Sequence, residues 1–141
     1  MKPAFIFDID GTLATKHPDR EIYEYDKVGN DFEIANVAEL YRILHTSLPD
    51  YTFLLVTGRE DTCRDVTAAW LAAHGLPHHA LHMRAEGDRR EDTVVKQEIY
   101  EAEIQPFYDV KGVFEDRQRV ARMWHSLGLT VFRVGDPDSD F

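Results

Sequence analysis

The expected fold follows from the stretch Phe5-Ile6-Phe7-Asp8-Ile9-Asp10-Gly11-Thr12. The apolar run at residues 4–7 is short and rich in aromatic and branched side chains, which predicts a buried β-strand. Gly11 permits a sharp turn after it. Asp8 and Asp10 are two residues apart, so they share one side of a strand that continues through them. Two carboxylates so close repel each other unless a cation or a shared proton intervenes. The pattern therefore predicts a metal or phosphoryl site, with an ordinary Asp-Gly turn as the alternative.

Length and composition set the general class of the protein. The 141 residues suffice for one domain with its own core, and 43% of them are hydrophobic. The single cysteine, Cys63, excludes an internal disulfide framework. The chain contains no long apolar segment and no pattern of a signal peptide, so we expect a cytoplasmic protein with no membrane partner. A formal net charge of −10 disfavours a broad nucleic-acid-binding surface. Any nucleic acid would be held near an end, by a few arginines and a metal.

Strand-like and helix-like segments alternate along the chain. The predicted strands cover residues 4–7, 52–56, 80–83, 110–114 and 129–134, and the predicted helices cover residues 34–44, 63–71, 94–102 and 120–127. This alternation predicts an α/β domain with a mostly parallel sheet. Residues 14–31 are polar and have no clear period, so we expect a long loop there.

A second group of polar residues follows the second predicted strand. It reads Val56-Thr57-Gly58-Arg59. A hydroxyl and the backbone donors of a strand-to-helix turn can hold phosphoryl oxygens, and a guanidinium adds a planar, bidentate grip. The alternative is an ordinary turn that caps a helix.

Two further groups follow in order. Asp92 and Lys96 are four residues apart at the start of the third predicted helix, so they share a face, and a simple exposed ion pair is the alternative. Glu115 and Asp116 follow the fourth predicted strand. A second acidic pair at a strand end suits Mg²⁺, and an acidic helix start is the alternative.

Taken in order, these four motifs resemble those of the haloacid dehalogenase (HAD) superfamily of phosphohydrolases. In that family the first aspartate becomes an aspartyl-phosphate and the second is the general acid and base. The resemblance implies catalytic roles for Asp8, Asp10, Thr57 and Lys96, and substrate contacts through Arg20, Gly58, Arg59 and Asp92. It also implies a Mg²⁺ site formed by Asp8, by Asp10 through its backbone carbonyl, by Asp116 and by Glu115. It also implies that Asp92 orients Lys96.

A closer resemblance is to the 3′-phosphatase domains of bacteriophage polynucleotide kinase-phosphatases. It rests on residues 86–99, 107–111, 115–117 and 123–124 and on Asp140-Phe141, and it is weakest between residues 14 and 31. Arg20 lies one residue further from the first aspartate than that family suggests. Glu115 replaces an aspartate, so Asp116 is the safer metal ligand. The resemblance implies a 3′-phosphate at a nucleic-acid or nucleotide end as substrate. Because no kinase domain is expected here, a separate kinase or ligase is a candidate partner.

The placement of the motifs also predicts the topology. They end strands one, two and four, so those strands should be neighbours with strand one in the middle, as in the order 3-2-1-4-5. The expected fold is a Rossmann-like, three-layer HAD domain covering residues 1–141, with no large cap domain over the cleft. Two alternatives stay open: a HAD phosphatase for small phosphorylated metabolites or nucleotides, and a receiver-like signalling domain.

Overall fold

The computed structural model describes residues 1–138, so the predicted resemblance at Asp140 and Phe141 lies outside the described residues. The strands are β1 (Lys2–Phe7), β2 (Ala14–Thr15), β3 (Phe32–Glu33), β4 (Thr52–Glu60), β5 (Ala80–Arg84), β6 (Tyr108–Glu115) and β7 (Val131–Arg133). The helices are α1 (Ala35–Ser47), α2 (Arg64–Ala73), α3 (Asp92–Ile99) and α4 (Gln118–Ser126).

The central sheet has five parallel strands in the order β5-β4-β1-β6-β7. Counting only these five, the order is the predicted 3-2-1-4-5, so the predicted topology is confirmed. Strand β1 lies between β4 and β6, with Ile6 opposite both Leu54 and Val113. All five carboxyl ends therefore meet at one edge, where ligands bind in open α/β sheets.

Helices cover both faces of the sheet, because successive strand residues point to opposite sides. One core cluster joins Phe7 and Phe53 to Tyr41 of α1 and Trp70 of α2. The other joins residues of the opposite strand faces to Trp124 of α4. This is the expected three-layer α/β architecture.

Three local expectations need correction. Strand β4 continues to Glu60 instead of ending at residue 56, because Glu60 pairs with Arg84 of β5 after an irregularity in the register. The motif at Thr57–Arg59 is thus extended backbone and not a turn. The third helix ends at Ile99 and continues as a π-helical turn, Tyr100–Ile104.

The third correction concerns the predicted loop at residues 14–31. Strand β2 pairs with β3 in an antiparallel ribbon, and a 3-10 turn lies between them at Tyr25–Asn30. We call residues 14–33 the strap. Apart from this strap, no insertion interrupts the motifs within residues 1–138, so the domain carries no large cap. None of the helices within residues 1–138 combines the length and the hydropathy that a membrane span requires.

Candidate active site

Three buried carboxylates form a cluster at the carboxyl ends of β1 and β6, and one lysine binds two of them. Lys96 donates to Asp8 Oδ1 at 2.9 Å and to Glu115 Oε2 at 3.1 Å, and its side chain is 2% exposed. Oxygen atoms of Asp8, Glu115 and Asp116 all lie within 4.8 Å of one another. The structure therefore brings together the first, third and fourth predicted motifs.

Gly11 and Thr12 fit closely around these acids. The hydroxyl of Thr12 is fully buried and lies 3.3 Å from Asp8 Oδ2 and 3.2 Å from Asp116 Oδ1, so it can donate to either. Gly11 has a φ of +84°, and a Cβ there would collide with the carboxylate of Asp116. Sequence reasoning quoted Thr12 in the first motif without assigning it a role.

The charges in this cluster do not balance. Burial would raise the pKa of Asp8, but the charge of Lys96 holds it below its usual value. Burial, followed by repulsion from Asp8, raises the pKa of Asp116 to about 9 and that of Glu115 to about 7. Burial lowers the pKa of Lys96, yet the carboxylates of Asp8 and Glu115 outweigh this and raise it. One lysine therefore cannot keep all three carboxylates ionised.

This charge deficit fits a divalent cation. Carboxylate oxygens are the ligands that Mg²⁺ prefers, and Asp8, Glu115 and Asp116 offer three of them within a small volume. The side chain of Asp10 is not part of this group, because it points to Arg59. A contribution of Asp10 to a metal site through its backbone carbonyl stays a prediction.

Asp10 is held by an arginine network. Arg59 donates from Nε to Asp10 Oδ2 at 2.9 Å and from Nη2 to Asp10 Oδ1 at 2.8 Å, a bidentate pair. Arg59 also donates to Asp31 Oδ2 at 3.3 Å and to Thr67 Oγ1 at 3.1 Å. The side chain of Asp10 is 44% exposed, whereas that of Arg59 is 1% exposed. Arg59 thus fixes the orientation of Asp10, and its predicted contact with substrate stays a prediction.

Arg20 belongs to the same network. It donates to both carboxylate oxygens of Asp31, at 2.7 and 2.8 Å, and its Nη2 lies 3.6 Å from Asp10 Oδ1. The side chain of Asp31 is fully buried. Burial would raise the pKa of Asp31, but the hydrogen bonds and charge of Arg20 hold it below its usual value. Asp31 was not predicted as a site residue, since nothing in its local sequence marks it.

Thr57 and Gly58 lie in the extension of β4. Thr57 is fully buried and accepts the backbone N–H of Arg59 at 3.2 Å. Gly58 lines the cleft, and a Cβ at this position would come within 2.6 Å of Asp92 Oδ1. A larger residue here would therefore displace Asp92, which Arg84 and Arg117 hold in place.

Asp92 binds two arginines and not Lys96. It accepts hydrogen bonds from Arg84 Nη2 and, at 3.0 Å, from Arg117 Nη1. The expectation that Asp92 orients Lys96 is therefore not met by a direct hydrogen bond, although its charge is among those that raise the pKa of Lys96. Sequence reasoning missed Arg84, yet its position at the end of a strand was a usable signal.

These groups line one open cleft of about 920 Å³. It contains the four predicted motifs, because Asp8, Asp10, Arg59, Lys96 and Asp116 all contribute to its lining. The volume is near the upper end of the range for small-ligand pockets, roughly 300–1,000 Å³. Such a cleft has room for more than a bare phosphate group.

Comparison with known proteins identifies close relatives. Residues 2–141 match the family model described as the polynucleotide kinase PNKP phosphatase domain, of HAD type. A putative bifunctional polynucleotide kinase/RNA ligase of Autographa californica nuclear polyhedrosis virus is 31% identical over 134 residues. That match covers 93% of this chain and 19% of the viral protein, so this chain corresponds to a small part of it.

Solved structures give the same picture. A chain in the Pnkp1/Rnl/Hen1 complex superposes with a TM-score of 0.92 at 32% identity, covering 100% of this chain and 48% of that one. A chain in the Pnkp1/Rnl/Hen1 RNA repair complex superposes with a TM-score of 0.90 at 32% identity, and the match covers 97% of this chain and 43% of that one. An uncharacterized protein from Listeria monocytogenes serotype 4b, with a TM-score of 0.63 and 13% identity, shares the fold.

Proposed function

This chain belongs to the family of polynucleotide kinase PNKP phosphatase domains and is thus a HAD-type phosphatase, and on that premise we propose that it removes 3′-phosphates from nucleic-acid ends. The observation that carries the proposal is the pairing of Asp8 with Lys96 at the base of an uncapped cleft. A carboxylate beside a lysine can attack an anionic phosphate whose charge that lysine helps to neutralise.

Asp8 is the proposed nucleophile. Its pKa lies below the usual value, so the carboxylate is ionised and ready to attack. One oxygen of Asp8 forms a bond to phosphorus while the bond from phosphorus to the ribose O3′ breaks. The product is an aspartyl-phosphate and a free nucleoside end. Lys96 and the hydroxyl of Thr57 are the proposed donors to the transferring oxygens.

Asp10 is the proposed general acid and base. It gives a proton to the departing O3′, and it then takes a proton from the water that attacks the aspartyl-phosphate. Its side chain is accessible from the cleft, and the bidentate grip of Arg59 keeps its two oxygens in one orientation. An oriented side chain with access to solvent is what both proton transfers require.

Mg²⁺ is the proposed cofactor. Asp8 and Asp116 would hold it, with Glu115 beside them and the backbone carbonyl of Asp10 as a further predicted ligand. When bound, the ion supplies positive charge that offsets the charge developing on the phosphoryl oxygens.

The relatives of this chain support the proposed substrate and partners. The relatives named above are the putative bifunctional polynucleotide kinase/RNA ligase and chains of two Pnkp1/Rnl/Hen1 complexes, one of them described as an RNA repair complex. This chain spans 19% to 48% of their lengths. We therefore propose a single phosphatase domain that acts on nucleic-acid ends together with kinase or ligase activities on other chains or segments. Of the alternatives, a receiver-like signalling domain loses its support, since the family is one of phosphatases. A phosphatase for small metabolites stays the rival prediction.

The test is phosphate release from matched 3′- and 5′-phosphorylated oligonucleotides and from free sugar phosphates, with and without Mg²⁺. We expect turnover of the 3′-phosphorylated strand only with the metal, and none by the Asp8→Asn protein. Faster turnover of sugar phosphates than of the oligonucleotide would contradict the proposed substrate.

A further inference from the structure

An exposed apolar surface lies on the wall of the catalytic cleft. Ile22 and Tyr23 are 53% and 79% exposed, and Tyr25 beside them is partly exposed. All three line the cleft that contains Asp8 and Asp10. Single exposed apolar residues are common, but a cluster that shares a cavity with reacting groups indicates a binding surface. We call Ile22, Tyr23 and Tyr25 the aromatic wall.

The aromatic wall is fixed in position. Arg20 Nη1 donates to the carbonyl oxygens of Glu21 at 3.2 Å and of Ile22 at 3.3 Å, while its other nitrogens bind buried Asp31. The rings of Tyr23 and Tyr25 pack edge to face, with centroids 6.4 Å apart and an interplanar angle of 85°. A surface ordered before the ligand arrives loses less entropy on binding.

The wall adjoins the leaving-group side of the reaction. Tyr25 and Asp10 line the same cleft, and Arg20, which binds the backbone of the wall at Ile22, has its Nη2 3.6 Å from Asp10 Oδ1. Asp10 is the group proposed to protonate the departing ribose oxygen. The nucleoside attached to that oxygen would therefore lie next to the wall.

Charge alone cannot hold a nucleic acid in this cleft. The chain has a formal net charge of −10. Five cleft arginines are already paired with carboxylates: Arg20 with Asp31, Arg59 with Asp10, Arg84 and Arg117 with Asp92, and Arg90 with Asp88 and Glu98. Uncharged contacts are then needed beside Lys96 and the proposed metal to hold a strand end. Stacking of a nucleobase on an aromatic ring is such a contact.

We propose that the aromatic wall is a stacking platform for the terminal nucleobase of the strand that carries the 3′-phosphate. Tyr23 supplies the exposed ring, and Tyr25 supports it from the side of Asp10. This inference rests on the proposed function and deepens it by describing how the strand end is recognised. A base that is paired within a duplex must be unpaired and unstacked before it can bind the platform, and this costs free energy. The platform therefore selects an unpaired or frayed 3′ end. Since every base has an aromatic face, it selects no sequence.

The experiment compares Tyr23→Ala, Tyr23→Phe and the wild-type protein on two strands. One strand ends in a normal 3′-phosphorylated nucleotide, and the other ends in a 3′-phosphorylated abasic nucleotide. We expect Tyr23→Ala to raise KM for the normal strand about tenfold, from the typical strength of base–aromatic stacking. Tyr23→Phe should restore it, because the ring and not the hydroxyl stacks. On the abasic strand the three proteins should have the same KM.

Phe107→Ala is the matched control. Phe107 is 60% exposed and lies outside the lining of the cleft, so its removal should leave KM unchanged on both strands. If both wild type and Tyr23→Ala hydrolyse the normal strand with the same KM, the stacking platform is wrong and the proposed function is unaffected. Failure of the wild-type protein to act on any 3′-phosphorylated strand would overturn both.

Discussion

Substitution of Asp31 by asparagine should weaken both stability and catalysis, although Asp31 is not proposed to touch substrate. Its fully buried carboxylate accepts two hydrogen bonds from Arg20, one from Arg59 and one from the backbone of His17. Asparagine keeps the shape of the side chain but removes the charge, and it turns an amide N–H₂ toward a guanidinium. Removal of one partner from a buried ion pair costs about 3–5 kcal/mol.

The lower end of that range applies, because Arg20 and Arg59 keep Asp10 as a second acidic neighbour. We expect the free energy of unfolding to fall by about 3 kcal/mol. For a chain of this length, this corresponds to a drop in Tm of about 10 °C. The assay is urea unfolding with thermal melts of wild type and Asp31→Asn. The exposed Asp19→Asn, in the same strap, is the matched control and should stay within about 0.5 kcal/mol of wild type.

The pH dependence supplies a second readout. The pKa of Asp31 is lower in the folded protein than its usual value of 3.8, so its carboxylate stabilises the fold above that value and ceases to do so as the pH falls through the folded pKa. The stability difference between wild type and Asp31→Asn should thus be constant at neutral pH and shrink below about pH 4. An equal Tm for the two proteins at pH 7 would refute the view that Asp31 anchors the strap.

Asp31→Asn should also lower kcat, because Arg59 loses an anchor and Asp10 loses its fixed orientation. General acid–base catalysis typically increases the rate by about 10²–10⁴-fold. An Asp10 side chain that is no longer held in one orientation should lower kcat by about tenfold. The loss should be larger for an oligonucleotide than for an activated phenyl phosphate ester, which needs no proton on its leaving group. Equal losses would mean that the effect does not pass through Asp10.

Four further outcomes are expected. Asp8→Asn should abolish turnover, since an amide cannot attack phosphorus, while circular dichroism should show that the fold is retained. Full activity of this variant would contradict the covalent mechanism. Asp10→Asn should slow release of a ribose hydroxyl more than release of an activated phenol, as measured by the burst of leaving group. Mg²⁺ at ten times its Kd should stabilise the protein by about 1.4 kcal/mol, and Asp116→Asn should remove this gain in thermal melts. Finally, kcat/KM for a 3′-phosphorylated oligonucleotide should fall only gently with salt, because few phosphates are contacted, and a steep slope would indicate an extended basic groove.

Much of the site could be predicted because its residues lie in short, local sequence motifs. An apolar run followed by acids identifies a buried strand that ends in charge, and Asp8 and Glu115-Asp116 are both of this kind. Parallel strands end at the same edge, so the positions of the motifs were enough to derive the sheet order. The resemblance to known families then predicted a phosphatase, and the family match confirms that class of enzyme, while the aspartyl-phosphate and the metal stay predictions.

The partners of the charged groups could not be predicted in this way. Arg59 lies 49 positions from Asp10, Arg84 binds Asp92 across an intervening loop, and Asp31 joins two arginines from different segments. An arginine at a strand end is compatible with a phosphate ligand and with a protein carboxylate alike. Only the tertiary packing decides between them, and it places Asp10 and Asp31 against Arg59 and Asp92 against Arg84.

The sequence by itself determined the strand and helix order, the sheet topology and the positions of Asp8, Lys96 and Asp116, since these depend on local periodicity and on where each strand ends. The tertiary structure decided which carboxylate each arginine binds, how far β4 extends, and that Tyr23 lies in the cleft. These features arise from contacts between residues far apart in the chain, where burial and charge balance, and not local propensity, set the energy.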